Sequence, residues 1–466
     1  MRDTFLPFSP PLIGEEEIAE VIDTLRSDWI STGPKVRRFE EEFAAFIGAP
    51  AALALNSCTA ALHVALATLG IGPGDAVITT PMTFCSSIHV IEHVGARPIL
   101  VDVEADTLNI DPQKVEEAIE AEAGRQKAEG GRRKTEGGNP TSDFRPTTSI
   151  KAILPVHLYG HPCDMDALVE IAQEYDLAII EDAAHALPAR YKGHTIGAPW
   201  KTEDGTRKTE NPPPTSVLRP PSSVLHPPSS ILRHFACFSF YATKNLTTAE
   251  GGMLTGSPEF IEEARIWSLH GMSRDAWKRY SAEGSWYYEV VRPGFKYNMT
   301  DIQAAIGLHQ LRKLPQFQAR RREIVRRYNQ AFSQFEELQI PTERPEVESA
   351  WHLYVLRLNL ERFSEARSRT SEARIPKSEF RIPNSEFRNQ FIEELQARNI
   401  GTSVHFIPIH LHPYYRDKYG YKPADFPVAY REYQRMVSLP LYPKMMDKDV
   451  DDVIEAVVDV VKRYRR

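Results

Sequence analysis

The sequence predicts an α/β protein of two domains: a large one on a mainly parallel sheet, then a smaller C-terminal α/β domain. Three observations predict it. Short apolar runs alternate with amphipathic helical stretches through the first half of the chain, a rhythm that implies parallel strands covered by helices on both faces. At 466 residues the chain exceeds one average domain. Beyond a long polar helix the pattern changes, which sets the large domain at 1–315 and the small one at 316–466.

In order, Glu40–Gly48 reads as a helix, Ala51–Leu55 as a strand and Thr59–Leu69 as a helix. Strands Ala76–Thr80 and Pro98–Val101 follow, with Phe84–Val94 helical between them. Then come strand Ala152–Val156, helix Met165–Tyr175 and strands Leu177–Ile180, Ala236–Tyr241 and Gly252–Thr255. The polar helix spans about Pro315–Phe335. The small domain is expected to hold strand Trp351–Asn359, helix Phe391–Arg398, strand Thr402–Phe406 and helix Asp447–Arg463.

Three segments break the rhythm: about 121–149, 199–233 and 364–388. Rich in Pro, Ser, Thr, Arg and Glu, they lack the apolar residues a packed core needs. The first two are related, since Gly131–Ser149 matches the 19-residue stretch from Gly205 at 11 positions. The second repeats Pro-Pro-Ser-Ser internally, and the third duplicates Ser-Glu-Ala-Arg and Ser-Glu-Phe-Arg. They read as insertions into surface loops, where added length costs little entropy.

Composition excludes several classes. A net charge of -7 speaks against non-specific nucleic-acid binding, and Arg320-Arg-Arg322 reads as a solvated helix face. No apolar stretch reaches the roughly 20 residues of a membrane span, and none at the N-terminus suits a signal peptide. Cys58, Cys85, Cys163 and Cys237 have neither metal-ligand nor disulfide-framework spacing. His405, His410 and His412 fit no regular metal pattern, so no metal is expected. A reduced, cytoplasmic chain is the simplest expectation.

The residues that could carry chemistry fall after strands, at the edge where ligands of parallel sheets gather. Lys244 follows an apolar strand in Phe238-Ser-Phe-Tyr-Ala-Thr-Lys244-Asn-Leu-Thr-Thr-Ala-Glu-Gly-Gly252; by itself it would be an ordinary surface lysine. Asp182, in Glu181-Asp-Ala-Ala-His185, could serve a metal, a ribose or a protonated ring nitrogen, or simply cap a helix. Asn56-Ser-Cys-Thr59-Ala-Ala-Leu62 joins a strand to a helix whose first N–H groups suit an anion. It lacks the glycines and lysine of a nucleotide P-loop, which favours a small monophosphate. Phe84, in Pro81-Met-Thr-Phe84, could stack on a flat ring or belong to the core. Ser239 could offer a hydroxyl to phosphate.

Together these segments resemble the DegT/DnrJ/StrS sugar aminotransferases, pyridoxal-phosphate (PLP) enzymes of fold type I, the aspartate-aminotransferase-like fold. Trp29-Ile-Ser-Thr-Gly-Pro34, Val101-Asp-Val103, Asp301-Ile-Gln-Ala-Ala-Ile-Gly307 and Ser438-Leu-Pro-Leu441 add to the likeness. Asn56–Leu62 and Gly294-Phe-Lys-Tyr-Asn-Met-Thr-Asp301 look most like the UDP-4-amino-4-deoxy-L-arabinose and UDP-4-amino-4,6-dideoxy-sugar branch.

The resemblance implies PLP as cofactor, with Lys244 forming the internal aldimine and moving the proton. It implies Asp182 on the pyridinium nitrogen, His185 near the ring and its O3′, Phe84 stacked on the ring, and Thr59, Ala60 and Ser239 on the phosphate. Thr32, Gly33, His405 and Tyr414 would border the substrate. Much of the family has Asn where this chain has Lys296 and Arg where it has Asn298; either residue could reach the partner subunit's phosphate, so a homodimer with shared sites is implied. The expected reaction moves the amino group of L-glutamate to a nucleotide-linked keto-sugar. A PLP-dependent sugar dehydratase or deaminase is the second enzymatic reading, although some relatives that remove a hydroxyl have histidine where this chain has Lys244. A non-catalytic regulatory homologue is the rival of another class.

Overall fold

The computed structural model describes residues 2–135, 149–200, 232–273, 287–363 and 385–465. Helices α1 (Glu15–Arg26) and α2 (Pro34–Ile47) precede the first strand. Strands β1 (Ala51–Leu55), β2 (Asp75–Thr79), β3 (Arg97–Leu100), β4 (Ser149–Ile153) and β5 (Ala178–Asp182) come next. A short ribbon of β6 (Arg190–Tyr191) and β7 (His194–Thr195) follows. Then β8 (His234–Ser239) and β9 (Gly252–Gly256) complete a seven-stranded sheet ordered β1-β9-β8-β5-β4-β2-β3. Its strands are parallel except β9, which runs against both neighbours. β8 returns into β9 through residues 240–251 without the crossover helix a parallel return uses.

Helices α3 (Cys58–Thr68), α4 (Ser86–His93), α5 (Pro112–Thr135) and α6 (Met165–Glu174) join the strands, and α7 (Pro258–Ser268) follows β9. Residues 60–66 of α3 are buried without interruption, the signature of a helix enclosed on all sides. One core layer packs Phe39, Phe43, Ile179 and Phe238 on one face of the sheet; a second packs Leu62, Leu66, Val77 and Phe235 on the other.

Helix α8 (Asp301–Phe332) leads to the C-terminal part, which holds β10 (Leu338–Gln339), β11 (Val347–Glu348), β12 (Tyr354–Leu358), α9 (Glu386–Gln396), α10 (Pro413–Tyr419), α11 (Pro427–Tyr433), β13 (Met436–Leu439) and α12 (Asp447–Tyr464). β10, β12 and β13 form an antiparallel sheet. Against it, Val450, Val453, Val457 and Val460 of α12 repeat at helical spacing in a core shared with Tyr328, Phe332 and Phe391. Acidic residues open α12 and basic ones close it, matching its dipole.

Several elements differ from the sequence expectation. α8 begins at Asp301, not Pro315. Thr300 and Gln303 form a reciprocal cap (Thr300 N–H to Gln303 Oε1, 3.0 Å; Gln303 N–H to Thr300 Oγ1, 3.3 Å), strong enough to start the helix there. The helix absorbs Pro315 in its interior, so the boundary drawn near 315 falls inside it. The expected strand Thr402–Phe406 reduces to one bridge between Ser403 and Ser438. Of the segment 121–149, residues up to Thr135 continue α5, because their Ala, Glu, Gln, Lys and Arg favour helix. The inserted residues 136–148, 201–231 and 364–384 lie outside the described residues. No helix among the described residues is long and apolar enough to cross a membrane.

Candidate active site

The carboxyl ends of β1, β2, β5 and β8 and the start of β9 share one edge of the sheet. Asp182 ends β5 there, buried, with Ser87 Oγ donating to Oδ2 (2.8 Å) and the Ala184 N–H to Oδ1 (3.1 Å). Burial raises its pKa, and these two hydrogen bonds pull it back. Lys244 lies in the turn between β8 and β9, half-buried, its N–H bonded to the Tyr241 carbonyl (2.9 Å). Burial lowers its pKa to about 8, against the opposing pull of Asp182. Such an amine is still mostly protonated near neutral pH, but its neutral, nucleophilic fraction is far larger than that of an ordinary lysine. His185 accepts a hydrogen bond at Nδ1 from the Tyr159 N–H (3.2 Å), which places its proton on Nε2. Burial and the nearby Lys244 keep it neutral, with a pKa well below the usual value.

The end of β1 runs into α3 through Asn56 and Ser57. Ser57 Oγ caps the helix by accepting from the Ala60 N–H (3.1 Å). Ala60 is therefore buried with its N–H engaged, while Thr59 is exposed in the same first turn. Ser239 pairs with Gly252 across the sheet. A Cβ on Gly252 would stand 2.5 Å from the Ser57 carbonyl carbon and 2.6 Å from the Cys58 nitrogen. Only a glycine lets the α3 N-terminus settle on β9, and so brings the Ser239 hydroxyl beside it.

The small domain supplies the opposite wall. Gly160, at φ +102°, allows residues 350–353 to dock onto the Tyr159–Gly160 turn (Ala350 N–H to Gly160 O, 2.9 Å; His352 N–H to Tyr159 O, 3.0 Å). This brings the His352 ring to 4.4 Å from that of His185. The Phe406 ring lies 5.8 Å from His185 and 5.9 Å from Phe84, which is 58% exposed. His405 shares a hydrogen bond with Ser438 Oγ (2.9 Å) and stacks on Phe8 at 5.1 Å. Burial, then the charge of Lys244, lowers the His405 pKa to about 4.

The remaining expected residues lie at the rim. Thr32 Oγ1 donates to the Met299 carbonyl (2.5 Å) and accepts from Asn298 Nδ2 (2.5 Å), and Lys296 donates to Asn298 Oδ1. Gly33 offers its N–H to Asp301 Oδ1 (2.9 Å), so Asp301 supplies the cap that α2 lacks. Tyr414 donates to Glu92 on α4 (2.5 Å) and lies near Lys418. His410 is buried against Phe426, and His412 contacts the Ile407 carbonyl, so the three histidines of that run occupy separate environments. Sequence reasoning missed Ser87, His352 and Asn245. His352 shares a hydrogen bond with Asn245 Oδ1 (3.2 Å), and Asn245 Nδ2 donates to the Leu187 (2.9 Å) and Ala350 (2.8 Å) carbonyls. A polar residue opening an apolar strand, as in Trp351-His352-Leu353, was the one available signal.

A weakly basic amine, a buried carboxylate, a helix N-terminus with two hydroxyls and an aromatic wall suit one kind of guest. That guest has an aldehyde, a protonated ring nitrogen, a phosphate and a flat face, the features of PLP. On this sheet and with this site, the protein is of the class of fold-type I PLP-dependent enzymes. The sequence matches the DegT/DnrJ/EryC1/StrS aminotransferase family over residues 11–203 and 229–458, and the chain belongs to that family. It is 47% identical over 463 residues to the spore coat polysaccharide biosynthesis protein SpsC of Bacillus subtilis, covering 99% of this chain and 98% of that one. Among solved structures, the PLP form of Spr1654 from Streptococcus pneumoniae matches with a TM-score of 0.74 and 33% identity, over 98% of this chain and 99% of the other. DesV of S. venezuelae, solved in complex with a ketimine intermediate, matches at 0.72 and 30%, over 98% and 100%. PLP is the cofactor of the chain.

Two expectations follow. The apo-protein should capture PLP at a rate rising with pH through a midpoint near Lys244's pKa of about 8, because only the neutral amine attacks the aldehyde. Following the absorbance of the bound cofactor across buffers checks this; a midpoint at lysine's ordinary value refutes it. The family match skips residues 204–228. Deleting them should leave turnover and melting temperature unchanged, measured by steady-state assay and thermal denaturation.

Proposed function

We propose that this protein is a sugar aminotransferase that moves the amino group of L-glutamate to a nucleotide-linked keto-sugar, in the first instance a UDP-4-keto sugar. The observation that carries the reading is Lys244, an amine of depressed pKa coupled to Asp182 at the ligand-binding edge of the sheet. Bound PLP supplies the carbonyl that receives the amino group and a ring that withdraws electrons from the reacting carbon. Lys244 Nζ would hold the cofactor and would serve as the acid–base group that moves a proton at the reacting carbon. The Asp182 carboxylate keeps the ring nitrogen protonated. Neutral His185, with its Nε2–H free to donate, and the Phe84 ring would hold the cofactor's ring, and Thr59, Ser239 and the α3 N-terminus would hold its phosphate, with Ala60 tying that helix end to Ser57.

Thr32, Gly33 and His405 line the way in, with Tyr414 further out on α10. The site is completed by a second copy of the chain. Lys296 is the better candidate for its phosphate, because the Asn298 amide already bridges Lys296 and Thr32 while an ammonium keeps two further donors. Exposed Trp29, Ile30, Tyr241, Val290 and Val291 around this rim favour such an apolar contact. A cytoplasmic setting accords with four free thiols.

A panel of UDP-, dTDP- and GDP-linked 4-keto sugars with glutamate, scored for 2-oxoglutarate release, tests the substrate assignment. Preference for a 3-keto substrate refutes it. Release of water or ammonia instead would favour the dehydratase or deaminase reading; Lys244 disfavours the hydroxyl-removing type.

A further inference from the structure

Glu181 is fully buried beside Asp182 and takes no part in the chemistry above. Neighbours in a strand point to opposite faces, so Glu181 faces away from the cofactor side. Its carboxylate accepts from Trp200 Nε1 (2.7 Å) and from His234 Nε2 on Oε1, and from His157 Nε2 (2.6 Å) on Oε2. The His157 tautomer is fixed, because its Nδ1 accepts from the Cys163 N–H (3.0 Å). The backbone N–H of the same His157 donates to the Asp182 carbonyl (3.2 Å), and the Asp182 N–H donates to the Pro155 carbonyl (2.8 Å). Residues 155–157 thus hold Asp182 by its main chain and Glu181 by its side chain.

A buried carboxylate among imidazoles is a poor source of stability; well-packed apolar residues of similar volume often do as well or better. Burial opposes ionisation of Glu181, yet His234 and His157 hold its pKa well below the usual carboxylate range. Trp200 and His234, 34 residues apart in the chain, thus meet at this one carboxylate. Ser87 and Ala184 orient the Asp182 side chain; the Glu181 network orients the strand end that carries it.

We propose that Glu181 is a positioning residue: through His157, His234 and Trp200 it fixes the end of β5 so that Asp182 is aimed at the cofactor's ring nitrogen. The inference rests on the assignment of Asp182 made under the proposed function. It is tested on the full chain with Glu181→Gln, Trp200→Phe and Asp182→Asn. The readouts are the PLP dissociation constant of the apo-protein, the melting temperature, and the pH midpoint of the bound cofactor's absorbance, which responds to protonation of the ring nitrogen.

Glu181→Gln should raise the midpoint in the direction of Asp182→Asn by a smaller amount. It should weaken PLP binding by about tenfold, the scale on which partners behind a ligand act, and Trp200→Phe should do less of both. A Glu181→Gln protein that melts earlier with midpoint and PLP affinity unchanged would make the residue purely structural and overturn the proposal. If Glu181→Gln does not fold, Trp200→Phe carries the same comparison. If Asp182→Asn leaves the midpoint unmoved, the assignment of Asp182 fails instead.

Discussion

Lys244→Ala should give a folded protein that is colourless with PLP and does not transaminate. The side chain is half-buried in the turn between β8 and β9, and the backbone of that turn is held without it. The Thr248 N–H donates to the Phe240 carbonyl (2.9 Å), and Asn245 ties the turn to Leu187 and Ala350. Truncation also removes a desolvated ammonium next to buried histidines, so the melting temperature of the apo-protein should not fall. Turnover should drop by at least about 10²–10⁴-fold, the contribution of one positioned acid–base group, with further loss because no amine anchors the cofactor. Absorbance after PLP addition and a 2-oxoglutarate assay check both parts. A yellow, active alanine variant would refute the role given to Lys244.

Asp182→Asn should keep the fold and lower kcat by about 10²–10³-fold, the usual cost of removing one preorganised electrostatic partner. The substitution preserves shape. Ser87 Oγ, which also contacts Thr83 Oγ1 (2.7 Å), can rotate to accept from the new amide. What is lost is the negative charge that, in the proposed role, would keep the ring nitrogen protonated. Because that charge acts on the reacting system more than on the bound sugar, KM should change far less than kcat. Steady-state kinetics separate the two, and an equal rise in KM with unchanged kcat would contradict the assignment.

Much of the large domain was legible because its strands are apolar runs ending in residues no core would choose: Asn56, Asp182, Lys244. The reversal of β9 was not, since strand direction is set by the connection and not by the run itself. Helices α1 and α7 are short, and their apolar positions (Ile18, Val21, Ile22 and Leu25; Phe260, Ile261, Ala264 and Trp267) do repeat at helical spacing although the sequence reading passed over them. Helix α8 begins 14 residues before the expected Pro315. At the site, Asp182, His185 and His405 lie within electrostatic reach of Lys244, whereas Thr32, Gly33, Lys296 and Asn298 cluster at the rim, Tyr414 is engaged by Glu92 and Ala60 by Ser57. The partners of Glu181 stand 19, 24 and 53 residues away in the chain. No local pattern announces such a meeting, because only the sheet order brings them together.

Helix α8 starts where Asp301 grips the Gly33–Val36 backbone and ends in the core of the small domain. Its 32 residues form a rod of about 48 Å at 1.5 Å per residue. Its first half is held along its length, with Gln310 Nε2 donating to Glu17 Oε1 (2.8 Å) and Lys313 Nζ to Glu17 Oε2 (2.7 Å). Pro315 removes one rung near the middle, yet the helix continues through it. One continuous helix thus places Leu308, Leu311 and Leu314 in the core of the large sheet and Ile324, Tyr328 and Phe332 in that of the small one, so the two lobes share a backbone element and not only a contact face.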